Sequence, residues 1–280
     1  MNILIIGLGL IGGSVAKDLK ERKFADYIYG VDTNPENAKI ALQLHIVDEI
    51  VTLAQGIDNS ELIIIATPVD STILILPGIL DRIHTQTVTD LGSTKEQIIE
   101  SVKFHPKRKN FVASHPMAGT EFSGPAAALS GLFDNKTTIL CNVEESNIEA
   151  VNVIRKMYEV LNMEIVEMSG ISHDVHVAYV SHISHISSFA LALTVMDIEE
   201  DEKNIFNLAS GGFESTVRLA KSSADTWAPI FMQNNKNVLT ALNNYIDKLQ
   251  ELKIFIKEQR VDEMYNVIKK SNRIKEILNK

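Results

Sequence analysis

The sequence predicts an α/β fold with two domains: an N-terminal doubly wound, mostly parallel sheet over residues 1–168, and an all-helical domain over residues 169–280. The chain opens with an apolar strand pattern that leads into the glycine motif GLGLIG at residues 7–12. Short apolar runs then alternate with helical patterns as far as residue 166, which is typical of a parallel sheet covered by helices. Beyond about residue 169 no strand pattern is evident and helical periodicity dominates.

The first unit has the pattern of a dinucleotide-binding βαβ unit. Residues 2–6 are an apolar strand, residues 7–12 read GxGxxG, and a helix follows to about Lys20. A second strand, residues 27–31, ends in Asp32, twenty residues after the motif, which is the spacing of a Rossmann-type fingerprint. Asp32 would accept hydrogen bonds from a ribose 2′-hydroxyl and repel a 2′-phosphate, so the predicted cofactor is NAD.

Each glycine of this loop has a different predicted structural role. Gly7 permits the tight turn, Gly9 lets the backbone approach a pyrophosphate, and Gly12 lets helix and strand pack closely. The N–H groups and the dipole at the start of the helix bind phosphate. Further candidate cofactor-binding residues at this helix start and at a later strand end are Leu10, Ile11, Thr67 and Pro68.

The alternation of strands and helices continues through the first domain. The predicted elements are helix 36–44, strand 62–66, helix 71–82, strand 87–90, helix 95–102, strand 111–113, strand 137–141, helix 148–161 and strand 164–166. In open α/β sheets, ligands bind outside the carboxyl ends of the strands. We therefore expect the loops that begin at Gly7, Thr67, Leu91 and Ser114 to converge on one cleft.

The stretch FVASHPMAGTEFSGP, residues 111–125, presents a histidine at this cleft. The residue before a proline is pushed toward extended geometry, so we expect His115 to be held just past the end of its strand. Gly119 and Gly124 allow the following loop unusual dihedral angles. A histidine exchanges a proton near its ordinary pKa of about 6.5, which makes His115 a candidate general base.

The second domain is predicted to be helical throughout. Its predicted helices cover residues 175–193, 202–208, 213–221, 226–257 and 261–278. The helix over 226–257 is long and carries Leu, Ile and Val on one face. That face is buried either within the domain or against a partner subunit, and the two are compatible. No Gly/Ser-rich linker separates the domains, so we expect the cleft to lie between them.

This helical part carries its own polar residues. Ser181 and His185 in the run SHISH are four residues apart and share a helix face. The spacing of His173 and His176 suits a metal, but no Cys or carboxylate cluster stands nearby to complete a site, so we expect no metal. Arg218 lies between apolar residues and either forms a surface salt bridge or captures a substrate carboxylate.

Composition and charge argue against nucleic-acid-binding, membrane-spanning and secreted proteins. The 280 residues have a formal net charge of −9, which argues against a nucleic-acid partner. No uninterrupted apolar run reaches the roughly 18 residues of a membrane span, and the N-terminus lacks the basic region of a signal peptide. The single cysteine, Cys141, excludes an internal disulfide and suits a reducing cytoplasm.

The motifs together are specific to one family. They are GLGLIGGS at 7–14, TDLGSTK at 89–95, SHPMAGTEFSG at 114–124, SHISH at 181–185 and GGFESTVRLAKSSADTW at 211–227. Over nearly its whole length the chain resembles the prephenate dehydrogenase family of tyrosine biosynthesis. The resemblance implies a Rossmann domain followed by an all-helical dimerisation domain that forms an intertwined homodimer. The implied reaction is the NAD-dependent oxidative decarboxylation of prephenate to 4-hydroxyphenylpyruvate.

The resemblance also implies roles for single residues. His115 matches the catalytic histidine, and Ser93 matches the serine that orients this histidine, the nicotinamide and the substrate hydroxyl. Ser93 is therefore a candidate for both catalysis and cofactor binding. Arg218 matches the arginine that binds a substrate carboxylate, and Glu121 an acidic residue at the mouth of the site. The other candidate substrate-binding residues are Ser181, His185 and Thr120.

Two positions depart from the family pattern. Ser215 stands where the family often has aspartate, which weakens any inference about contacts near Arg218. Thr94 stands where the family often has valine, a smaller change. Some relatives also carry a C-terminal regulatory domain, which we do not expect in a chain that ends near residue 280.

Three other functions remain open. An arogenate dehydrogenase, or a cyclohexadienyl dehydrogenase with dual specificity, shares the fold and the chemistry, and an assay of both substrates would separate them. A β-hydroxyacid dehydrogenase shares the two-domain plan but needs a catalytic lysine in the helical domain and leaves SHPMAGTE unexplained. A redox-sensing NAD-binding module without catalysis would be excluded if adding prephenate reduced the nicotinamide.

Overall fold

The computed structural model describes residues 1–202 and 206–278. Its centre is an eight-stranded sheet in the order β3-β2-β1-β4-β5-β6-β7-β8. Neighbouring strands pair in parallel except β6 and β7, which are antiparallel, so the predicted mostly parallel, doubly wound sheet is confirmed. The strands are β1 (Asn2–Ile6), β2 (Tyr27–Val31), β3 (Glu49–Ile50), β4 (Leu62–Ile65), β5 (Thr87–Asp90), β6 (Phe111–Pro116), β7 (Thr137–Cys141) and β8 (Glu164–Met168).

α-Helices follow most of the strands and dominate the described chain beyond residue 168. Those up to residue 168 are α1 (Leu10–Glu21), α2 (Pro35–Gln43), α3 (Leu53–Asn59), α4 (Val69–Arg82), α5 (Glu96–Ser101) and α6 (Ile148–Val160). Those beyond it are α7 (Gly170–Val177), α8 (Ile183–Glu202), α9 (Gly211–Val217), α10 (Ala224–Gln233), α11 (Asn235–Lys257), α12 (Val261–Ser271) and α13 (Ile274–Leu278).

The sheet is buried on both faces, which explains why its central strands read as continuous apolar runs. Successive side chains of a strand point to opposite faces. In β1, Ile3 and Ile5 join one buried cluster, which includes side chains of α1 and α6. Leu4 and Ile6 join a second cluster, which includes side chains of α4, α5 and α10. A helix from beyond residue 168 thus contributes to the core of the sheet.

The strand order places a crevice at one edge of the sheet. β1 has β2 on one side and β4 on the other, so the winding of the chain reverses between β1 and β4. Loops that leave the carboxyl ends of two such strands diverge, and ligands bind in the crevice between them. α1 follows β1 and α4 follows β4 at this edge.

β6 is longer than the sequence predicts. Its parallel pairing with β5 ends at Ala113, but its antiparallel pairing with β7 continues to Pro116. His115 therefore lies within the strand, opposite Ile139, and the prediction that it lies past the strand's end is wrong. The extension arises because β7 supplies a hydrogen-bonding partner after β5 has ended.

Several helix boundaries also differ from the predicted ones. The short elements β3 and α3 are absent from the prediction. A π-helical turn, Ala178–His182, joins α7 to α8, and a break at Asn234 separates α10 from α11. In the predicted helix 202–208, residues 203–205 lie outside the described residues, and Phe206–Leu208 form a 3₁₀ turn.

Packing divides the chain into two compact units, Met1–Asn235 and Lys236–Lys280. All candidate site residues belong to the first unit, and the predicted domain boundary at 168/169 stays a prediction. The described part of the second unit is helical and exposes many large apolar side chains. They are Leu239, Tyr245, Ile246, Leu249, Ile254, Ile256, Val261, Tyr265, Ile268, Ile274, Ile277 and Leu278.

Among the described residues, one helical stretch, 170–199, is long and apolar enough by length and composition to cross a membrane. Polar residues interrupt its apolar pattern, among them His173, Asp174, His182 and His185. Three of these four side chains are buried and all of them contribute to the site described next, so we assign this stretch to the wall of that site.

Candidate functional site

The glycine loop between β1 and α1 has the close packing that its motif predicts. Gly7 has a φ of +93°, and a Cβ there would lie 2.6 Å from the carbonyl oxygen of Ala66. A Cβ at Gly12 would lie 2.0 Å from the carbonyl oxygen of Gly7, so glycine is required at both positions. A Cβ at Gly9 would meet nothing within 4 Å, which leaves open space beside this position for a ligand.

The start of α1 suits an anionic ligand. Gly9 precedes the helix without a side-chain cap, and the first turn contains no acidic residue. The first N–H groups of a helix, here those of Leu10 and Ile11, have no acceptor within the helix. Together with the positive end of the helix dipole they form a site that fits a pyrophosphate.

Asp32, after β2, holds the glycine loop in place. One of its carboxylate oxygens accepts a hydrogen bond from the N–H of Leu8 at 2.8 Å, and the other accepts one from the N–H of Asn34 at 2.8 Å. The residues after it, through Glu36, include no cation that would pair with a 2′-phosphate. This end of the crevice therefore fits the ribose of NAD.

The loop after β4 lies beside the glycine loop. A Cβ at Gly7 would lie 3.0 Å from the nitrogen of Thr67, so the two strand ends are in close contact. The Thr67 hydroxyl is 2.9 Å from that of Thr72 in α4, and Pro68 is the residue that precedes α4. The structure thus places Thr67 and Pro68 beside the glycine loop, and their binding of the cofactor stays a prediction.

A buried ion pair supports the loop after β5. The side chains of Asp90 and Lys95 are fully buried and pair with each other. Lys95 also donates to the carbonyl oxygen of Ser114 at 2.7 Å, and Asp90 accepts from the N–H of Gly92 at 2.9 Å. Ser93 lies on this loop and is half-buried. Its hydroxyl has no hydrogen-bond partner in the described part of the chain, so it is available to a ligand.

His115 is paired with a second histidine. Its Nδ1 lies 2.8 Å from Nε2 of His173, and Nδ1 of His173 lies 2.7 Å from Oδ1 of Asp174. The Asp174 carboxylate also accepts the backbone N–H groups of Lys95 at 2.8 Å and Glu96 at 3.0 Å. Whereas the family resemblance implies that Ser93 orients His115, the hydrogen-bond partner of its Nδ1 is His173.

Burial lowers the pKa of His115 well below 6.5, and repulsion from His173, Lys95 and His182, the two histidines when protonated, lowers it further. His115 is therefore a neutral imidazole at pH 7 and is able to accept a proton. The ordinary value of about 6.5 assumed from sequence is wrong here because His115 is 8% exposed rather than placed on an open loop.

An aromatic cluster stands beside these histidines. The ring of His185 stacks on Trp227 with centroids 3.3 Å apart, and His182 meets Trp227 edge-on at 5.9 Å. Nδ1 of His185 donates to the carbonyl oxygen of Ser181 at 3.1 Å, which leaves the lone pair on its Nε2. The amide of Asn234 donates to Nδ1 of His182 at 3.3 Å, so His182 has a structural role.

Arg218 and Glu121 face each other at the exposed side of the site. Their side chains form an ion pair at 3.1 Å. The pKa of His185 is lowered first by burial and also by the charge of Arg218. The Thr120 hydroxyl accepts the N–H of Phe122 at 3.3 Å in the same loop as Glu121. Arg218 therefore forms the predicted salt bridge, and its partner is itself a predicted site residue.

Sequence reasoning missed four residues of this arrangement as site residues: His173, Asp174, Lys95 and Trp227. Lys95 and Trp227 stand inside the matching motifs TDLGSTK and ADTW, so the sequence contained a signal for them. His173 was considered only as a metal ligand with His176, but it is buried and His176 is exposed. Among the described residues no group of three His, Cys, Asp or Glu side chains is placed to hold a metal.

Comparisons with known proteins match both halves of the chain. The family models for the nucleotide-binding domain and the dimerization domain of prephenate dehydrogenase match residues 15–167 and 169–270. Prephenate dehydrogenase of Bacillus subtilis (strain 168) is 31% identical over 275 residues, which cover 95% of this chain and 73% of the relative.

Solved structures agree over the full length. Prephenate dehydrogenase from A. aeolicus, in complex with hydroxyphenyl propionate and NAD+, matches with a TM-score of 0.90 at 31% identity, and the match covers 100% of this chain and 98% of that one. Synechocystis arogenate dehydrogenase matches with a TM-score of 0.74 at 26% identity, over 99% of each chain.

Proposed function

This chain belongs to the prephenate dehydrogenase family, and on that premise we propose that it catalyses the NAD-dependent oxidative decarboxylation of prephenate to 4-hydroxyphenylpyruvate. One observation carries the proposal beyond the family match. A buried, neutral His115 stands on β6, two strands along the same sheet edge from the crevice that fits NAD. A base in that position can serve a substrate bound beside the nicotinamide.

The proposed chemistry uses His115 as the general base. The substrate hydroxyl loses its proton to the imidazole as its carbon loses a hydride. The glycine loop and Asp32 would hold NAD, which would supply the acceptor of that hydride. Ser93 binds the same hydroxyl through its unpaired side chain and holds it toward His115. Aromatisation of the ring then drives the loss of carbon dioxide.

Arg218 is the proposed anchor for the substrate. Prephenate carries two carboxylates, and a protein with a net charge of −9 needs a local cation to bind such a dianion. A guanidinium offers two parallel N–H donors to a carboxylate. Ser181, His185, Thr120 and Glu121 complete the proposed substrate site around this anchor.

We further propose a cytoplasmic homodimer that assembles through the helical residues 169–280, with residues 1–168 as the NAD-binding domain. The exposed apolar side chains of residues 236–278 support this assembly, as do Leu193, Met196 and Ile198 on α8, which are about half exposed. Sedimentation at micromolar protein should give a dimer. A monomer at that concentration would contradict the proposed assembly.

The test of the reaction is the reduction of NAD, followed by absorbance, when prephenate is added to the purified protein. We expect reduction with prephenate and formation of 4-hydroxyphenylpyruvate. Arogenate is the second candidate substrate, because the Synechocystis arogenate dehydrogenase has the same fold, and the same assay with arogenate compares the two. Reduction with neither substrate would contradict the proposal.

A further inference from the structure

The carboxylate of Asp174 sets the direction of a chain of hydrogen bonds. Each of its oxygens accepts a backbone N–H, from Lys95 at 2.8 Å and from Glu96 at 3.0 Å. Oδ1 also contacts Nδ1 of His173 at 2.7 Å. A carboxylate only accepts hydrogen bonds, so Nδ1 of His173 carries a proton and donates it.

The position of the proton on His173 determines the position of the proton on His115. Burial lowers the pKa of His173, against the opposing effect of Asp174, and burial lowers the pKa of His115 further, so both imidazoles are neutral at pH 7. A neutral imidazole has one donor and one acceptor nitrogen. With its proton on Nδ1, His173 presents a lone pair on Nε2, 2.8 Å from Nδ1 of His115. Nδ1 of His115 must therefore be the donor.

We propose that His173 and Asp174 are positioning residues that hold His115 in the tautomer with its proton on Nδ1 and its lone pair on Nε2. The nitrogen that carries the proton in a histidine is set by the hydrogen bond that the other nitrogen makes. In this tautomer Nε2 is free to accept the hydroxyl proton of the substrate. In the other tautomer Nε2 would already carry a proton and His115 would not act as a base.

The pair also stabilises the charged form of the base. When the substrate proton arrives on Nε2, the imidazolium of His115 keeps its Nδ1–H bond to His173, and His173 keeps its bond to the anionic Asp174. No second proton moves. The other charged or titratable groups that face His115 are Lys95, paired with Asp90, and His182. Lys95 and protonated His182 oppose a positive charge on His115, so the link to Asp174 is the favourable contribution.

The first test reads the tautomer directly and does not depend on catalysis. Long-range ¹H–¹⁵N spectra of the wild-type protein at neutral pH distinguish protonated from unprotonated ring nitrogens. We expect Nδ1 to be protonated and Nε2 unprotonated in both His115 and His173, with signals assigned by their loss in His115→Asn and His173→Gln. A proton on Nε2 of His115 would overturn the inference, even if His115 proved to be the base.

The second test is kinetic and rests on the proposed function of His115. His173→Leu removes the acceptor for His115, whereas His173→Gln offers an amide oxygen in its place. We expect His173→Leu to lower kcat by about 10- to 100-fold, the range typical for loss of a hydrogen-bond partner that orients a metal-ligating histidine. His173→Gln should retain more activity, and KM for NAD should change little in both.

His176→Gln is the matched control, since His176 lies on the same helix but is exposed, and its kcat should equal that of the wild type. An unchanged kcat in His173→Leu would overturn the inference, and so would equal losses in the Leu and Gln variants. If His173→Leu fails to fold, the spectra of the wild-type protein decide. If His115→Asn remains active, the proposed function fails while the tautomer assignment stands or falls on the spectra alone.

Discussion

The guanidinium of Arg218 lies 3.1 Å from the carboxylate of Glu121, so the cation proposed to bind a substrate carboxylate has an anionic partner within the protein. The Arg218 side chain is 50% exposed, and ion pairs with that much solvent access contribute only about 0–1 kcal/mol. A substrate carboxylate therefore displaces Glu121 from Arg218 at a small cost in free energy.

The first prediction separates these two side chains. Arg218→Ala should raise KM for prephenate about 10- to 150-fold, since a charge-assisted hydrogen bond contributes about 1.5–3 kcal/mol, and should leave KM for NAD nearly unchanged. Arg218→Lys should recover only part of the loss because an ammonium lacks the planar fork. Glu121→Gln, which removes only the weak ion pair, should change KM for prephenate by less than about fivefold. An equal rise of both KM values in Arg218→Ala would indicate a structural role.

The second prediction concerns cofactor choice. Asp32→Asn keeps an oxygen for the N–H of Leu8 but removes the negative charge. The ratio of kcat/KM for NAD to that for NADP should fall by roughly 10- to 100-fold, because a charge-assisted hydrogen bond to the ribose is lost. Asp32→Ala should in addition lower the unfolding midpoint, since the Leu8 N–H loses its acceptor. A wild-type protein that prefers NADP would contradict the assignment of Asp32.

The third prediction uses two glycines of the same loop. A Cβ at Gly9 meets no protein atom within 4 Å, whereas a Cβ at Gly12 lies 2.0 Å from a backbone oxygen. Gly9→Ala should therefore keep the wild-type unfolding midpoint and weaken NAD binding in calorimetry, because the methyl group occupies the ligand's space. Gly12→Ala should lower the unfolding midpoint as well, since overpacking typically costs about 1–3 kcal/mol. Unchanged NAD affinity in a folded Gly9→Ala protein would place the pyrophosphate elsewhere.

Predictions from the sequence were most accurate for elements that a short, continuous sequence pattern specifies. The glycine motif, the strand before it, and Asp32 after β2 lie within 31 residues and each has a direct structural reason, so the fold of this βαβ unit was predictable from local sequence. The positions of the longer strands along the chain were predictable for the same reason. The two-residue strand β3 was not, because it is too short to show a pattern of alternation.

The part of the site that the sequence could not predict depends on contacts between distant segments. His115 and His173 are 58 residues apart, and no spacing rule links a strand residue to a helix residue at that distance. The position of His115 inside β6 depends on β7, whose antiparallel direction runs against the parallel pattern before it. The burial of His115 that lowers its pKa results from this position, so the pKa shift could not be predicted from the sequence either.

The fourth prediction concerns stability and pH. Burial lowers the pKa of His182 to about 4, while Asp174 opposes this shift. At pH values between about 4 and the ordinary histidine pKa of about 6.5, His182 binds a proton in the unfolded chain but not in the folded protein. The free energy of unfolding should therefore fall as the pH falls, by about 2 kcal/mol for this residue between about pH 7 and about pH 5. The buried His115 and His173 contribute with the same sign.

Urea unfolding at the two pH values and at a fixed protomer concentration measures this effect. His182→Gln keeps an acceptor for Asn234 but does not titrate, so its loss of stability on acidification should be smaller than that of the wild type by about 2 kcal/mol. His176→Gln, an exchange at an exposed position of α7, the helix before His182, should lose as much as the wild type. Identical pH dependence in His182→Gln and the wild type would show that His182 is not buried as a neutral ring.

The last prediction concerns His115 itself. A neutral imidazole is the active form, and burial lowers the pKa of this residue well below 6.5. The plot of kcat/KM for prephenate against pH should therefore stay flat through pH 6.5, the ordinary value for histidine, and fall only at more acidic pH. His115→Asn keeps a polar side chain but has no nitrogen that accepts a proton, so kcat should fall by about 10²- to 10⁴-fold. NAD and prephenate should still bind, which calorimetry checks, and the acidic limb of the profile should disappear with the imidazole. If His115→Asn kept the same acidic limb or a near-normal kcat, the base would be another group. His185 would then be the leading candidate, because its bond to the Ser181 carbonyl leaves a lone pair on Nε2.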